Sequence, residues 1–503
     1  MSGGAAGNWM ELVLSFIEND SQPAGKSSLD LSRHFFSKIG QKLRAMSSFS
    51  SPDRESVKTI SLIFVCGYLC QGVVQHFCLI SQPLNNYLKA GLHLDAAQVS
   101  LCVSGLMLPW VIKPIYGMVA DQRQFTKAGS KRKRFLIRVH LFAAAAYAIL
   151  ALLLFGFAGA LHLWTLAPVL VLIALAGVCI AFSTVIFVAM TVEQSHQDEG
   201  GSRLYFGEQA IAYSVANMAA VYVGGWLCGR LAPGAALAWA LLTAAAVLLV
   251  ACFFYARLFK GGHLSSAGAG ENNDVRVDNS DAGSVDSNIE LNTDISTEPL
   301  LAKLRALVAS RPYLITLLFL TLWNLSPSLG VSLYYYECDK LHFTQTVIGK
   351  LAACTSFGTL AGAFIFRAGN HFFKERRSTY LLVVLSVAAT LSYTQLSTPL
   401  SGAIIEFCRG LVTMVATLAI YGLAADVSPR ALSATAMAVQ VAVFNLAQEG
   451  SFALGGFLYD RLFNRELLPL IVVSSLTTLL TAILIPYLGR SGCKQGDYRG
   501  QVL

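Results

Sequence analysis

Lys113 stands inside the apolar run Leu108-Pro109-Trp110-Val111-Ile112-Lys113-Pro114-Ile115-Tyr116-Gly117-Met118-Val119-Ala120-Asp121, flanked by two prolines and followed by an aspartate. A lysine at depth in a bilayer costs about 2.5–3.5 kcal/mol on insertion scales. Each proline removes a helix hydrogen bond that hydrocarbon cannot replace. Such a run is tolerable in lipid only where its polar face meets protein or a water-filled cavity. Pro109 and Pro114 bend the helix and free carbonyls, and Gly117 admits a close neighbour. Asp121 ends the run, where a carboxylate can cap the N-terminus of another helix. The natural partner is the stretch Ser428-Pro429-Arg430. Pro109, Pro114, Gly117, Asp121 and Arg430 therefore form a candidate gate. The plainer alternative makes Asp121 and the basic loop after it topology determinants only. Lys113 lies about 12 Å from Asp121 at the helical rise. A structural or gating ion pair fits it somewhat better than direct contact with a substrate.

Other polar groups recur inside apolar stretches. Gln71 and Gln75 are four apart and share a helix face with Tyr68, with His76 beside it. Trp323 and Asn324 precede Pro327, and Asn445, Gln448 and Glu449 lie close together. Trp110, Trp323, Gln71, Gln75, Asn324, Asn445, Lys113 and Arg409 supply stacking faces, amides and cations, and are the candidate substrate-binding residues. Glu208, Glu406 and Glu449 are the proton-coupling candidates, since a buried carboxylate binds a proton more readily than an exposed one. Bland readings stand beside these. Glu406 and Arg409, three apart, can neutralise each other within one helix. Intramembrane amides can be interhelical glue. The tyrosine run 334–336 fits an interfacial belt.

The elements that must position these groups follow from composition. The chain has 503 residues, is 55% hydrophobic and 13% charged, and has mean hydropathy +0.57. Soluble domains carry about 25% charged residues. Apolar stretches of about 20 residues cross a bilayer. Twelve such stretches are expected, near 59–82, 96–120, 135–158, 164–190, 204–229, 234–257, 312–336, 345–367, 379–397, 400–424, 431–457 and 467–488. Between the sixth and seventh, Gly261 to Pro299 holds eight acidic residues and one basic residue, Arg276. That composition reads as a disordered acidic tether.

The expected organisation is all-α: twelve transmembrane helices in two six-helix bundles. It comprises an N-terminal tail (1–57), a first bundle (58–258), a linker (259–308), a second bundle (309–489) and a C-terminal tail (490–503). Basic clusters after the second and eighth spans place both termini in the cytoplasm. The net charge of +8 is then a topology signal rather than a nucleic-acid footprint. The eleven cysteines show neither metal nor disulfide spacing. No phosphate-binding loop, zinc motif or nucleophile elbow is present. The sequence implies no enzyme, no cofactor and no metal site.

The pattern Pro-Trp-x-x-Lys-Pro-x-x-Gly-x-x-x-Asp, from Pro109 to Asp121, resembles the signature of the folate–biopterin transporter family within the major facilitator superfamily. Gln71-Gly72, Pro83, Tyr87-Leu88-Lys89, Glu193, Pro327, Phe343, Gly349, Arg409-Gly410, Ser428-Pro429 and Asn445 add to the resemblance. Ser183 and Ala189 stand where members carry aspartates, and Ala431-Leu432-Ser433 stands where an acidic residue is usual. The resemblance implies a major facilitator fold and a divergent member. It also implies a pteridine or folate cargo. The two-bundle organisation points to alternating access, either driven by a proton or solute gradient or simply downhill. An amino acid, a nucleoside-like metabolite or an amphiphile as cargo, or a sensor without flux, is the alternative. A functional monomer in the plasma membrane, in contact with lipid and binding no nucleic acid, completes the expectation.

Overall fold

The computed structural model describes residues 54–120, 129–156, 165–195, 201–258, 310–369, 372–427 and 433–488. Residues 1–53, the C-terminal tail, the acidic linker, Asp121 and Arg430 lie outside them. The described residues are helical and contain no strand. Within lipid this is the expected solution, because a helix satisfies its own backbone.

The first half comprises α1 (Arg54–Val74), the short α2 (Ser81–Asn86), and α3 (Ala96–Leu106), α4 (Leu108–Val111) and α5 (Lys113–Ala120), which form one bent rod. It continues with α6 (Gly129–Gly156), α7 (Leu166–Ser195), α8 (Gly201–Arg230) and α9 (Pro233–Leu258). The second half comprises α10 (Arg311–Leu325) and α11 (Gly330–Asp339), then α12 (Gln345–Ala368), α13 (Arg376–Leu391), α14 (Pro399–Asp426), α15 (Ser433–Phe457) and α16 (Leu467–Leu480). Among the described residues, nine helical rods are long and apolar enough to cross a membrane. Three further rods, α1, α13 and α15, stand where the first, ninth and eleventh spans were expected. Arg54, Glu55 and Lys58 make α1 less apolar. Gln440, Asn445, Gln448 and Glu449 do the same for α15.

Local signals set several boundaries. Asp95 caps α3 by accepting from the Gln98 amide at 2.8 Å, and Gln98 answers with its own side chain. Thr344 caps α12. Pro109 and Pro312 occupy first-turn positions, where the missing N–H costs nothing. Large apolar side chains such as Phe142, Leu152, Val171, Phe253, Leu468 and Ile483 remain exposed on the outer surface. An apolar girdle of this kind is stable against lipid.

Two rods expected to be continuous are broken. The first span stops at Val74, turns through residues 75–80 and resumes at Ser81. The seventh breaks at Ser326-Pro327-Ser328-Leu329, between α10 and α11. Each half therefore begins with a discontinuous helix. Corresponding interruptions in the two halves are the feature that marks a midplane site in two-bundle transporters.

Candidate functional site

The halves meet along two helix crossings. In one, α3 to α5 run against α15; in the other, α8 runs against α12. Pro114 has no N–H, so the Trp110 carbonyl loses its helical donor. Asn445 Nδ2 supplies a replacement at 3.1 Å from the other half. Ser104 Oγ donates to the Glu449 carbonyl at 3.0 Å, and a side chain at Gly456 would collide with Ser100. Where α8 crosses α12, Gly225 and Gly349 face each other with no room for a Cβ. Asn217 Nδ2 donates to Ser356 Oγ at 3.1 Å in the same crossing.

The end of the bundle remote from Arg134 and Arg377, here the far end, is closed by pairs between the halves. Lys89 pairs with Asp339 at 2.5 Å and Arg461 with Asp95 at 2.7 Å. The Tyr335 hydroxyl donates to the Leu94 carbonyl at 2.5 Å. Gln82 Nε2 donates to the Gln345 carbonyl at 2.7 Å and to its side-chain oxygen at 2.9 Å. Beside this seal, Asp460 binds Arg465 at 2.7 Å and holds that guanidinium above its ordinary range.

The break in the first span gathers several predicted residues. Gln71 and Gln75 are buried at its edge, and Gln71 Nε2 approaches Ser183 Oγ at 3.5 Å. The Tyr147 hydroxyl donates to the Val74 carbonyl at 2.9 Å, serving a helix end that lacks its next turn. His76 is 2% exposed, and neither ring nitrogen has a hydrogen-bond partner. Its ring lies 5.2 Å from that of Trp110. Trp110 and His76 thus pack together beside the break, and Asn445 meets the Trp110 backbone from the other half.

The break in the seventh span is satisfied differently. Ser451 Oγ donates to the Ser326 carbonyl at 2.5 Å, and the Ser328 amide donates to the Ser451 carbonyl at 3.1 Å. Ser326 Oγ also meets Ser474 and Thr477 of α16. Asn324 Nδ2 returns to the Leu320 carbonyl one turn back, at 2.8 Å. Trp323 packs among second-half residues, 5.9 Å from Phe319. These two residues do not join the Trp110 cluster through any contact given by the described residues.

A third group lies within the second half. Glu406 accepts from the Tyr393 hydroxyl at 2.5 Å, from Thr355, and from Arg409 Nε and Nη2 at 3.1 and 2.8 Å. The Glu406 side chain is 6% exposed, yet that of Arg409 is 40% exposed. Ile404 and Cys408 form the exposed apolar strip of α14, while half-buried Arg409 and exposed Thr413 lie about 140° and 180° round the helix from Ile404. Glu337, buried on α11, lies near enough to feel the charges of both Glu406 and Arg409.

Tyr393, Thr355 and Glu337 were not among the predicted site residues. Glu337 follows three tyrosines that read as an interfacial belt. The two hydroxyl residues carry no signal of their own. Lys113 opens α5, half-buried, with no acidic side chain within 4 Å among the described residues. Gly117 and Glu208 lie in α5 and α8 at positions whose side-chain surroundings are outside the description.

Sequence comparison converges with this architecture. The sequence model of the Major Facilitator Superfamily matches residues 60–449. The chain belongs to the major facilitator superfamily. The protein is a multi-pass membrane transporter of that superfamily. It is 22% identical over 463 residues to a folate-biopterin transporter of Synechocystis sp., covering 88% of this chain and 82% of that one. The fold is similar to that of the xylose transporter XylE from E. coli in an inward open conformation. The TM-score is 0.60 at 12% identity, over 87% of this chain and 98% of that chain. It is also similar to a variant of the nucleoside transporter NupG, with TM-score 0.59 at 14% identity, over 86% and 100% of the two chains.

Proposed function

We propose that this major facilitator protein carries a small polar metabolite of the pteridine or folate class by alternating access. Residues 58–258 and 309–489 act as the two rocking halves, and 259–308 tethers them. The single observation that carries the mechanism is the discontinuous first helix of each half beside a seam made of reversible polar contacts. The cargo reading is supported by similarity to the Synechocystis folate-biopterin transporter over most of both chains. The chemistry at the first break agrees with it. Trp110 and His76 offer flat faces and Gln71 and Gln75 offer amides, while Arg409, in the separate group of the second half, offers a cation to an acidic tail. A proton or solute gradient drives accumulation. The protein works as a monomer in the plasma membrane with both termini cytoplasmic.

Uptake of labelled folate, biopterin and amino acids by the purified protein in liposomes, at two pH values, tests this reading. Saturable accumulation of a pteridine is the expected result. Flux of amino acids alone would overturn the cargo. Binding without flux would overturn transport in favour of a sensor.

A further inference from the structure

The sequence singles out three carboxylates for proton coupling, and their surroundings separate them; Glu337, a fourth buried one, lies within reach of the Glu406 and Arg409 charges. Glu406 accepts from a tyrosine, a threonine and both arms of a guanidinium, so its anion is fully compensated. The surroundings of the Glu208 side chain fall outside the description. Glu449 is different. It is 4% exposed, and neither carboxylate oxygen has a hydrogen-bond partner.

Its position is defined by its own helix. Asn445, Glu449 and Gly456 lie within about 40° of one another round α15. Asn445 reaches the Trp110 carbonyl, and Gly456 packs on Ser100. The Glu449 carboxyl therefore belongs to the face of α15 that meets the first half. The Ser104 bond to its backbone fixes the level. From the second half, the break at Leu325 to Ser328 lies beside it, through Gly450 and Ser451. Cys102 is the one ionisable side chain in these facing segments, and His76 packs on Trp110, whose carbonyl Asn445 holds one turn away. Lys113 lies further along the α3–α5 rod, Glu337 further along α11, and Glu406 and Arg409 are engaged with each other on α14. Among the described residues none of these forms an ion pair with Glu449.

We infer that Glu449 is a proton-binding site in the seam between the halves, and that its protonation permits the far end to close. The inference rests on the alternating-access reading and adds the residue that couples it to pH. A bare carboxylate anion cannot be sealed among uncharged groups without a large penalty, whereas the acid can. When the far end opens, water reaches the seam and the anion becomes tolerable. Closing again requires a proton from that water. Acid therefore favours the closed far end and alkali opens it.

The test needs no cargo. Hydrogen–deuterium exchange of the wild-type protein in nanodiscs reads the opening of residues 87–98 and 455–466, after correction for intrinsic exchange. Between about pH 5.5 and about pH 8.5, protection there should fall roughly tenfold or more as the anion forms. Glu449→Gln, which mimics the protonated acid in shape, should keep the acid-level protection at both pH values. Equal pH dependence in wild type and variant would overturn the inference. So would pH-independent protection in the wild type, a result that requires no variant. Failure of pteridine uptake would leave this readout unaffected, so the two readings fail separately.

Discussion

Asn445 donates from the second half to the Trp110 carbonyl, which Pro114 deprives of its helical donor. The two features explain each other. A proline four residues beyond Trp110 creates a bare acceptor within the membrane, and the opposite bundle satisfies it only while the halves are closed together. A bond of this kind is stable enough to register the halves and reversible enough to release them.

That relationship predicts a non-additive pair of substitutions. Asn445→Ala should leave a buried carbonyl unpaired, at about 1–3 kcal/mol. The seam should then open roughly 5- to 100-fold more often by that estimate. Pro114→Ala restores a helical N–H to the carbonyl, so adding Asn445→Ala to it should cost much less. Mass-spectrometric rates of maleimide modification at Cys338, which lies in the far-end seam against Gln345, provide the measurement. Simple additivity of the two changes would remove the proposed exchange of donors.

The ion pairs at the far end predict salt sensitivity. Lys89–Asp339 and Asp95–Arg461 are partly exposed, so each contributes about 0.2–1 kcal/mol. Asp339→Asn combined with Arg461→Gln should raise Cys338 modification by roughly 2- to 30-fold on that scale. Raising the ionic strength should accelerate the wild type and leave the double variant nearly unchanged. Exchanging the charges, with Lys89→Asp and Asp339→Lys together, should restore the slow rate. A faster rate in the exchanged protein would argue that local packing, not charge, closes this end.

How much of this was legible beforehand depended on the range of the interaction. The anomaly at Lys113 and its two prolines was visible because each residue violates a local rule for a membrane helix. The partner of that segment was expected near Arg430, outside the described residues. The contact observed among the described residues is Asn445, on α15. The break at residues 75–80 contains neither proline nor glycine, so it read as a continuous span. Only tertiary contacts such as Tyr147 to the Val74 carbonyl make that break tolerable. The far-end ion pairs join residues separated by 250 and 366 positions, and no local pattern announces them. Glu337 was obscured by its tyrosine neighbours. The pairing of Glu406 with Arg409 was readable from their spacing; Tyr393 and Thr355, which complete it, were not.

Gly225 and Gly349 predict a steric trap. Their backbones touch where α8 crosses α12, and a Cβ on Gly225 would also meet the Gln82 side chain at 2.8 Å. Leucine at position 225 should hold the crossing apart. Overpacking of this kind costs about 1–3 kcal/mol. Helical content and membrane insertion should persist, because each half packs independently of this contact. Uptake should fall roughly 5- to 160-fold by that estimate, while Cys338 becomes more reactive. An active Gly225→Leu protein would show that this crossing need not close during the cycle.

Arg409 predicts discrimination between cargoes. Its guanidinium is anchored by Glu406 through two donors, and the side chain stays half-exposed on α14. Folate carries a glutamate tail and biopterin does not, so only folate can use a cation presented there. Arg409→Lys keeps the charge but loses the two-point hold on Glu406, which leaves the ammonium free to wander. A charge-assisted hydrogen bond contributes about 1.5–3 kcal/mol, so the KM for folate should rise roughly 10- to 100-fold while that for biopterin changes little. Arg409→Gln should show the same selectivity with a larger loss. Glu406→Gln should impair folate uptake indirectly, because it loosens Arg409 without touching the cargo. Equal losses for both compounds in all three variants would reduce the pair to a structural brace of α14, with no part in recognising the tail.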